Sequence, residues 1–207
     1  MLASKDQEHV VSSILIECQV LHQANHPFIC HMDYFYQTAR RLFFVMPMVQ
    51  GGELKRLIKS KPVPEEQIKM WAAQLLLALK YCYESDILHR DLKPDNILID
   101  EHGSVQLIDF GLSRALPKGE LATTQCGSPQ YMAPEHFNVI QGRKGHSYEA
   151  DYWSVGIILY EMLAGTVPFP NNQSQEAVSK LIFPAQRTAP SSQLFREFIK
   201  ELLQYNP

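Results

Sequence analysis

Apolar residues recur at helical spacing near the start of the chain. Val10, Ile14 and Leu21 fall on one face and predict a helix over residues 7–22. Glu17 lies inside the same apolar stripe. A carboxylate on an apolar face is costly unless a cation meets it, so Glu17 predicts either a basic partner or a place at the edge of the stripe.

Strands and helices follow in mixed order. The apolar run 42–46 predicts a strand, and Pro64 begins a helix that continues through Leu79. Two short apolar pieces, 97–99 and 105–108, flank a polar turn and predict a hairpin.

The second half of the chain is mainly helical in pattern. Residues 111–135 are polar without periodicity and predict a long loop that is either functional or mobile. Residues 148–164 are apolar nearly all round and predict a buried helix, and residues 191–205 predict an amphipathic one. The order predicts an α+β fold with a cleft between two unequal lobes, connected near residues 49–52.

Composition narrows the class of protein. The 207 residues are 45% hydrophobic, which suits a globular core, and the net charge of -3 does not indicate nucleic-acid binding. The longest apolar stretch, 155–163, is too short to span a membrane. Four cysteines without a CxxC pair predict reduced thiols and hence a cytoplasmic or nuclear protein.

Two polar motifs flank the predicted hairpin. The sequence HRDLKPDN occupies residues 89–96, and Asp109-Phe110-Gly111 follows the second strand. The turn of the hairpin is expected to bring Asp91, Lys93, Asn96 and Asp109 together. Phosphoryl transfer uses such a set, because oxygen ligands hold Mg²⁺, a carboxylate orients the attacking hydroxyl and a lysine offsets charge. Each motif alone is weak, but their order with Ala-Pro-Glu at 133–135 is specific.

On these motifs the chain resembles the eukaryotic protein kinase family over nearly all of its length. Lys93, two residues after Asp91, makes the motif similar to that of the serine/threonine branch of the family. The stretches 25–28, 41–46, 51–54 and 123–128 resemble the AGC group, with the calmodulin-dependent group as the nearest alternative.

The resemblance implies an α+β, two-lobed kinase-like fold and use of ATP and Mg²⁺. Residues 1–49 would form a partial small lobe with helix C, strands 4 and 5 and the start of the hinge. Residues 50–207 would form a mostly helical large lobe, incomplete at its C-terminus.

The resemblance also implies the catalytic roles. Asp91 would be the catalytic base and Lys93 would contact the γ-phosphate. Asn96 and Asp109 would hold Mg²⁺. Ser128 stands where the family more often has threonine, and it would hydrogen-bond toward the aspartate and the lysine.

The same resemblance assigns the nucleotide site. Met46 would be the gatekeeper, and the adenine would bond to the Pro47 carbonyl and the Val49 N–H. Leu98 would pack under the adenine and Glu53 would reach the ribose.

Structural roles follow by the same comparison. Leu21, Met32, His89 and Phe110 align with the family's regulatory spine, a role compatible with ordinary core packing. Asp151 would brace the backbone of the catalytic loop, with a helix N-terminal acid as the alternative.

Thr124 lies two residues before Cys126, where AGC-like kinases are phosphorylated. An upstream activating kinase would modify it, and Arg90 and Arg114 would hold the phosphate, with a contribution from Lys118. The alternative is that both arginines are solvated surface charges.

Glu53, Asp95 and Glu161 would line the groove for a protein substrate and attract arginines N-terminal to its phosphorylated serine or threonine. The alternative for Glu161 is a bond within its own helix region. Pro129 and Met132 would form an apolar pocket for the next substrate residue.

The printed sequence contains no glycine-rich loop and no lysine strand ahead of the first helix. Lys5 would reach Glu17 only if the N-terminus folded back. An arginine expected to pair with Glu135 would fall after Pro207. Three interpretations remain: an active kinase represented in part, a pseudokinase scaffold, or a small-molecule phosphotransferase. The 207 residues by themselves are expected to have little kinase activity.

Overall fold

The computed structural model describes residues 14–15, 17–39, 41–137, 144–170, 174–183 and 191–206. Within this part of the chain the first helix, α1, covers residues 14–15 and 17–23, so the predicted helix is present where the chain is described. Lys5, the first half of that predicted helix and Pro207 lie outside the described residues.

A small antiparallel sheet follows α1. Strand β1, Tyr34–Gln37, pairs with β2, Leu42–Val45, so the predicted strand ends one residue early. The aromatic rings of Tyr36 and Phe43 stack across the pair with centroids 4.7 Å apart. Cross-strand aromatic pairs of this kind stabilise a two-stranded sheet.

The next elements along the chain connect this sheet to the helical part of the molecule. Helix α2, Leu54–Ser60, and helix α3, Glu65–Glu84, precede the hairpin of β4, Ile97–Ile99, and β5, Val105–Leu107. The hairpin is therefore present as predicted. The Cys30 N–H donates to the Leu107 carbonyl at 3.0 Å, which connects the segment after α1 to the hairpin.

Helix α3 begins directly after Pro64, with Glu65 and Glu66 in its first turn. These acids favour the positive end of the helix dipole. Further along the helix, the Trp71 indole N–H donates to the Gly103 carbonyl at 2.8 Å. That bond fixes the turn of the β4–β5 hairpin on α3.

The long polar segment is more ordered than predicted. Strand β3, Ile87–Leu88, pairs with β6, Arg114–Ala115, and a short 3₁₀ helix covers Pro134–His136. Pairs of two residues carry no periodicity, so the sequence could not predict them.

Three helices complete the molecule: α4, Glu149–Ala164; α5, Gln175–Ser179; and α6, Gln193–Leu202. Helix α4 is buried nearly throughout, as its apolar sequence predicts. Helices α3 and α6 pack against it, and one core extends from α1 to α6. None of the helices in the described ranges has the length and apolar character needed to span a membrane. The predicted α+β class, with a small sheet-containing part and a mostly helical part, is confirmed.

Candidate active site

The loop between β3 and β4 is held in place by hydrogen bonds to a side chain of α4. The carboxylate of Asp151 accepts from the backbone N–H of His89 at 2.8 Å and from that of Arg90 at 2.9 Å. Arg90 has φ 70, a left-handed conformation that the surrounding contacts must stabilise. Burial raises the pKa of Asp151, while the charge of His89 and the two N–H donors oppose that rise.

Four predicted catalytic residues meet in this loop and the segment beside it. Lys93 Nζ lies 2.6 Å from Asp91 Oδ2 and 3.2 Å from Ser128 Oγ. The Ser128 hydroxyl donates to Asp91 Oδ1 at 2.8 Å. The Asn96 amide donates to the Asp91 carbonyl at 3.0 Å. These bonds fix the orientation of the Asp91 carboxylate, which is 7% exposed.

Asn96 and Asp109 flank the hairpin and provide oxygen ligands of the kind that Mg²⁺ prefers. The Asn96 side-chain N–H₂ is used by Asp91, which leaves its amide oxygen as an acceptor. The Ile108 N–H donates to the Asn96 carbonyl at 3.0 Å, so the two ends of the hairpin are tied together. No cluster of three or more His, Cys, Asp or Glu suited to a metal occurs among the described residues. Two oxygen donors of this kind fit a Mg²⁺ that takes its other ligands from phosphate and water.

Two of the predicted nucleotide residues, Glu53 and Leu98, meet at one edge of the hairpin. The Ile99 N–H donates to the Gly52 carbonyl at 2.9 Å, and Glu53 forms a β-bridge with Leu98. A Cβ at Gly51 would lie 2.4 Å from the Ile99 carbonyl oxygen, so this close approach requires glycine. The segment before Gly51 is accessible to solvent. Met46 is 41% exposed, Pro47 is exposed and Val49 is half-buried.

The four residues aligned with the regulatory spine are all buried. The Met32 N–H donates to the Leu21 carbonyl at 2.9 Å, and the rings of His89 and Phe110 lie 4.8 Å apart. Burial lowers the pKa of His89, which favours the neutral imidazole. Its Nδ1 accepts from the Asp91 N–H at 3.3 Å, so the core packing also supports the catalytic loop.

Glu17 faces the Asp-Phe-Gly segment. A Cβ at Gly111 would lie 3.6 Å from Glu17 Oε2 and 3.2 Å from Asp109 Oδ1. Burial, and then the charge of Asp109, raise the pKa of Glu17. Within the described ranges no cation forms an ion pair with Glu17, and Lys5 lies outside them.

Residues 111–135, here called the activation segment, contact the catalytic loop, residues 89–96. Gly127 has φ 106, and a Cβ there would lie 2.4 Å from the Arg90 carbonyl oxygen. Burial, and to a smaller extent the charge of Arg114, lower the pKa of Arg90. Arg114 pairs with Leu88 between β6 and β3, and Arg90 Nε donates to the Leu112 carbonyl at 2.6 Å, so the two arginines lie on adjacent segments. Thr124 is exposed on the same segment.

The residues predicted to contact substrate differ in accessibility. Glu53, Asp95 and Pro129 are exposed, whereas Met132 is 6% exposed and Glu161 is 5% exposed. Glu161 accepts from Lys55 Nζ at 2.8 Å and from the Tyr131 hydroxyl at 2.7 Å. These partners belong to α2 and the activation segment rather than to its own helix region. Glu135 is 8% exposed.

The sequence did not identify Lys55 or the ring pair of His136 and His146. The two imidazoles stack with centroids 3.8 Å apart. Burial lowers the pKa of His136 to about 4 and that of His146 to about 3. Their separation of ten positions across an aperiodic segment gives no signal in sequence.

Comparison with known proteins identifies the family. The family profile described as the protein kinase domain matches residues 1–207. The chain is 39% identical over 192 residues to ribosomal protein S6 kinase 2 alpha of Gallus gallus, covering 89% of this chain and 25% of that protein. It is 38% identical over 196 residues to ribosomal protein S6 kinase alpha-1 of Homo sapiens, covering 93% and 26% respectively. A third relative, ribosomal protein S6 kinase alpha-3 of Mus musculus, is 40% identical over 169 residues, which is 81% of this chain and 22% of that protein.

The chain thus spans about a quarter of the length of these relatives. The S6 kinases belong to the AGC group, so the predicted likeness to that group is confirmed. On the family profile and the conjunction of Asp91, Lys93, Asn96 and Asp109, this chain belongs to the protein kinase domain family.

Proposed function

We propose that the protein containing this chain transfers the γ-phosphate of ATP to serine or threonine residues of proteins. The observation that supports this most directly is the geometry at Asp91. One carboxylate oxygen accepts from Lys93 and the other from Ser128, beside the oxygen ligands Asn96 and Asp109. Phosphoryl transfer depends mainly on positioning and charge stabilisation, which this set supplies.

In the proposed reaction the substrate hydroxyl donates its hydrogen bond to Asp91, which orients the oxygen toward the γ-phosphorus. That oxygen forms the new P–O bond, the bond to the β–γ bridging oxygen breaks, and the hydroxyl proton passes to Asp91. Lys93 offsets negative charge on the transferred group. Mg²⁺, held by Asn96 and Asp109, would neutralise charge on the phosphates.

The test is phosphate transfer by the full-length protein and by its Asp91→Asn variant. We expect the variant to lose about a thousandfold in kcat because the hydroxyl is no longer oriented by a carboxylate. Mass spectrometry should identify phosphoserine or phosphothreonine in the product. Equal activity of both proteins, or phosphorylation of a small molecule only, would contradict the proposal.

A pseudokinase function is the second candidate, and Glu17 is the observation that favours it for residues 1–207 alone. Among the described residues no cation pairs with Glu17, which lies half-buried near the carboxylate of Asp109, and an unpaired carboxylate there does not stabilise α1 in an active position. We therefore expect residues 1–207 to transfer little or no phosphate to a basic peptide. Robust transfer that depends on Asp91 would contradict this expectation.

Regulation at Thr124 forms part of the proposal. Arg90 and Arg114 lie on adjacent segments, and their guanidiniums can hold a phosphate through charge-assisted bonds and so order the activation segment. Phosphorylation of Thr124 by an upstream kinase should raise activity of the full-length protein. Thr124→Ala should lower it several-fold, while Thr123→Ala, an exposed neighbour, should not. Unchanged activity of Thr124→Ala would refute the role.

The proposed substrates carry arginine upstream of the phosphorylated residue. The exposed carboxylates of Glu53 and Asp95 support this selectivity, and Pro129 with Met132 supports an apolar residue on the other side. A peptide array on the full-length protein tests both preferences. Equal rates for peptides with and without arginine would count against the first.

A further inference from the structure

Lys55 forms an internal ion pair at the edge of the proposed substrate groove. Its ammonium lies 2.8 Å from Glu161 Oε1 and 2.9 Å from the Tyr131 hydroxyl. The hydroxyl in turn donates to Glu161 Oε2 at 2.7 Å. Both oxygens of the Glu161 carboxylate are therefore engaged by groups of the same chain.

Burial makes this cation necessary. The side chain of Glu161 is 6% exposed and that of Lys55 is 20% exposed, so the lysine covers the carboxylate from solvent. A buried carboxylate that loses its partner is strongly unfavourable. Glu161 must therefore have a cation, whether it comes from this chain or from a ligand.

The network lies close to the exposed substrate residues. Helix α2, which carries Lys55, packs against the short 3₁₀ helix Pro94–Asn96, which contains Asp95. Glu53 is the residue that precedes helix α2, and Lys55 is the second residue of that helix. The three carboxylates and the ammonium thus belong to one region, and the ammonium reduces its formal charge from -3 to -2.

We propose that Lys55 is a specificity-determining residue: it fills the cation position at Glu161, so that a peptide arginine is bound by Glu53 and Asp95 but not by Glu161. The inference rests on the proposed function. It narrows the substrate class to peptides whose binding affinity is increased by one upstream arginine but not by a second. A tethered lysine has a high effective concentration at Glu161, so a peptide guanidinium competes poorly with it.

The experiment measures fluorescence anisotropy of three serine peptides that carry no, one or two upstream arginines and are otherwise identical. The peptides are titrated with residues 1–207 and with the full-length protein. For the wild type the first arginine should strengthen binding, and the second should change the Kd less than about twofold. For Lys55→Met the second arginine should strengthen binding about tenfold, because Glu161 then lacks its cation.

Matched variants separate the effect from a general change of charge. Lys59→Met removes a lysine from the exposed side of the same helix and should behave as the wild type. Lys55→Arg keeps a cation and should also behave as the wild type. In Lys55→Met with Glu161→Gln, the tenfold gain should disappear.

Glu161→Gln alone provides a test that does not depend on the folding of Lys55→Met. Because Glu161 is already paired, this variant should change the affinity for the two-arginine peptide less than about twofold. A tenfold loss in Glu161→Gln, or no gain from the second arginine in folded Lys55→Met, overturns the role of Lys55.

The proposed preference for an upstream arginine has its own test, which is independent of the role of Lys55. It is contradicted if Glu53→Gln and Asp95→Asn leave the affinity for the one-arginine peptide unchanged. The comparison of Lys55→Met with Lys59→Met still decides the role of Lys55 in that case.

Discussion

The Asp91 carboxylate accepts from Lys93 and Asn96 at Oδ2 and from Ser128 at Oδ1. Asp91 and Lys93 lie in one motif, but Ser128 is 37 positions beyond Asp91. The hydroxyl therefore connects the activation segment to the catalytic loop. Its contribution is one of orientation, because a serine hydroxyl adds no charge.

This predicts that Ser128→Ala lowers kcat of the full-length protein about tenfold, since Asp91 loses one of the bonds that orient it. Ser128→Thr keeps the hydroxyl and should retain activity within about twofold. Steady-state kinetics with a serine peptide measures both variants. Equal loss in alanine and threonine variants would show that side-chain volume, rather than the hydroxyl, matters.

The stacked pair of His136 and His146 leads to a prediction about how the stability of the fold depends on pH. In the fold the pKa values are about 4 and about 3, below the ordinary value near 6.5. As pH falls below 6.5, the unfolded chain takes up protons that the folded chain cannot. Stability is therefore complete above 6.5 and is lost progressively toward pH 4.

Between pH 6.5 and 5 we expect a loss of about 1 to 2 kcal/mol per histidine in the free energy of unfolding. His146→Gln should reduce the pH slope measured by urea denaturation. His102→Gln, at an exposed position, should leave the slope unchanged. An identical slope in His146→Gln and the wild type would contradict the role of the pair.

At the scale of elements, α4 acts on the site through a single side chain. Asp151 joins the start of this helix to the loop after β3, which carries the left-handed residue Arg90. Two backbone N–H groups converge on one carboxylate, and no apolar or singly accepting side chain can replace it. The position of the catalytic loop therefore depends on the packing of α4.

Asp151→Asn should destabilise the protein by about 2 to 4 kcal/mol, because the amide N–H₂ would face a buried N–H donor. Urea denaturation of residues 1–207 provides the measurement. Glu120→Gln changes an exposed acid outside this network and should alter stability by less than about 0.5 kcal/mol. Similar stabilities of the two variants would argue against a bracing role.

At the scale of the whole molecule, α6 depends on a close approach to α4. A Cβ at Gly156 would lie 2.8 Å from Leu203 Cδ2 and 3.0 Å from Leu202 Cβ. Glycine in the middle of a helix lowers its intrinsic stability, and here the contact between two helices compensates. The core that extends from α1 to α6 thus includes this contact.

Gly156→Val should destabilise the fold by about 1 to 3 kcal/mol, because the added atoms overlap α6 and its C-terminal turn. The change should appear as a lower urea midpoint. Lys200→Ala, on the exposed side of α6, should have little effect. A midpoint equal to that of the wild type would show that α6 can shift without cost.

Much of the fold was predictable, for reasons that differ between elements. Helix α3 and the β4–β5 hairpin carry clear periodicity and turn residues, and both are present as predicted. Strands β3 and β6 were not predicted, because two-residue strands have no period and form only when their partner is brought alongside. The boundary between the predicted lobes near residue 49 remains a prediction.

The sequence by itself determined the family and predicted the catalytic set, because Asp91, Lys93, Asn96 and Asp109 belong to motifs whose order is specific. The two ends of a short hairpin must lie close together. The local geometry of the chain therefore brings the motif before β4 next to the motif after β5. Only the tertiary structure decided which charges pair. Lys55 and Glu161 are 106 positions apart, and their contact depends on how α2, α4 and the activation segment pack. A residue pattern fixes where a charge lies along the chain, whereas its partner, burial and pKa depend on the elements that surround it.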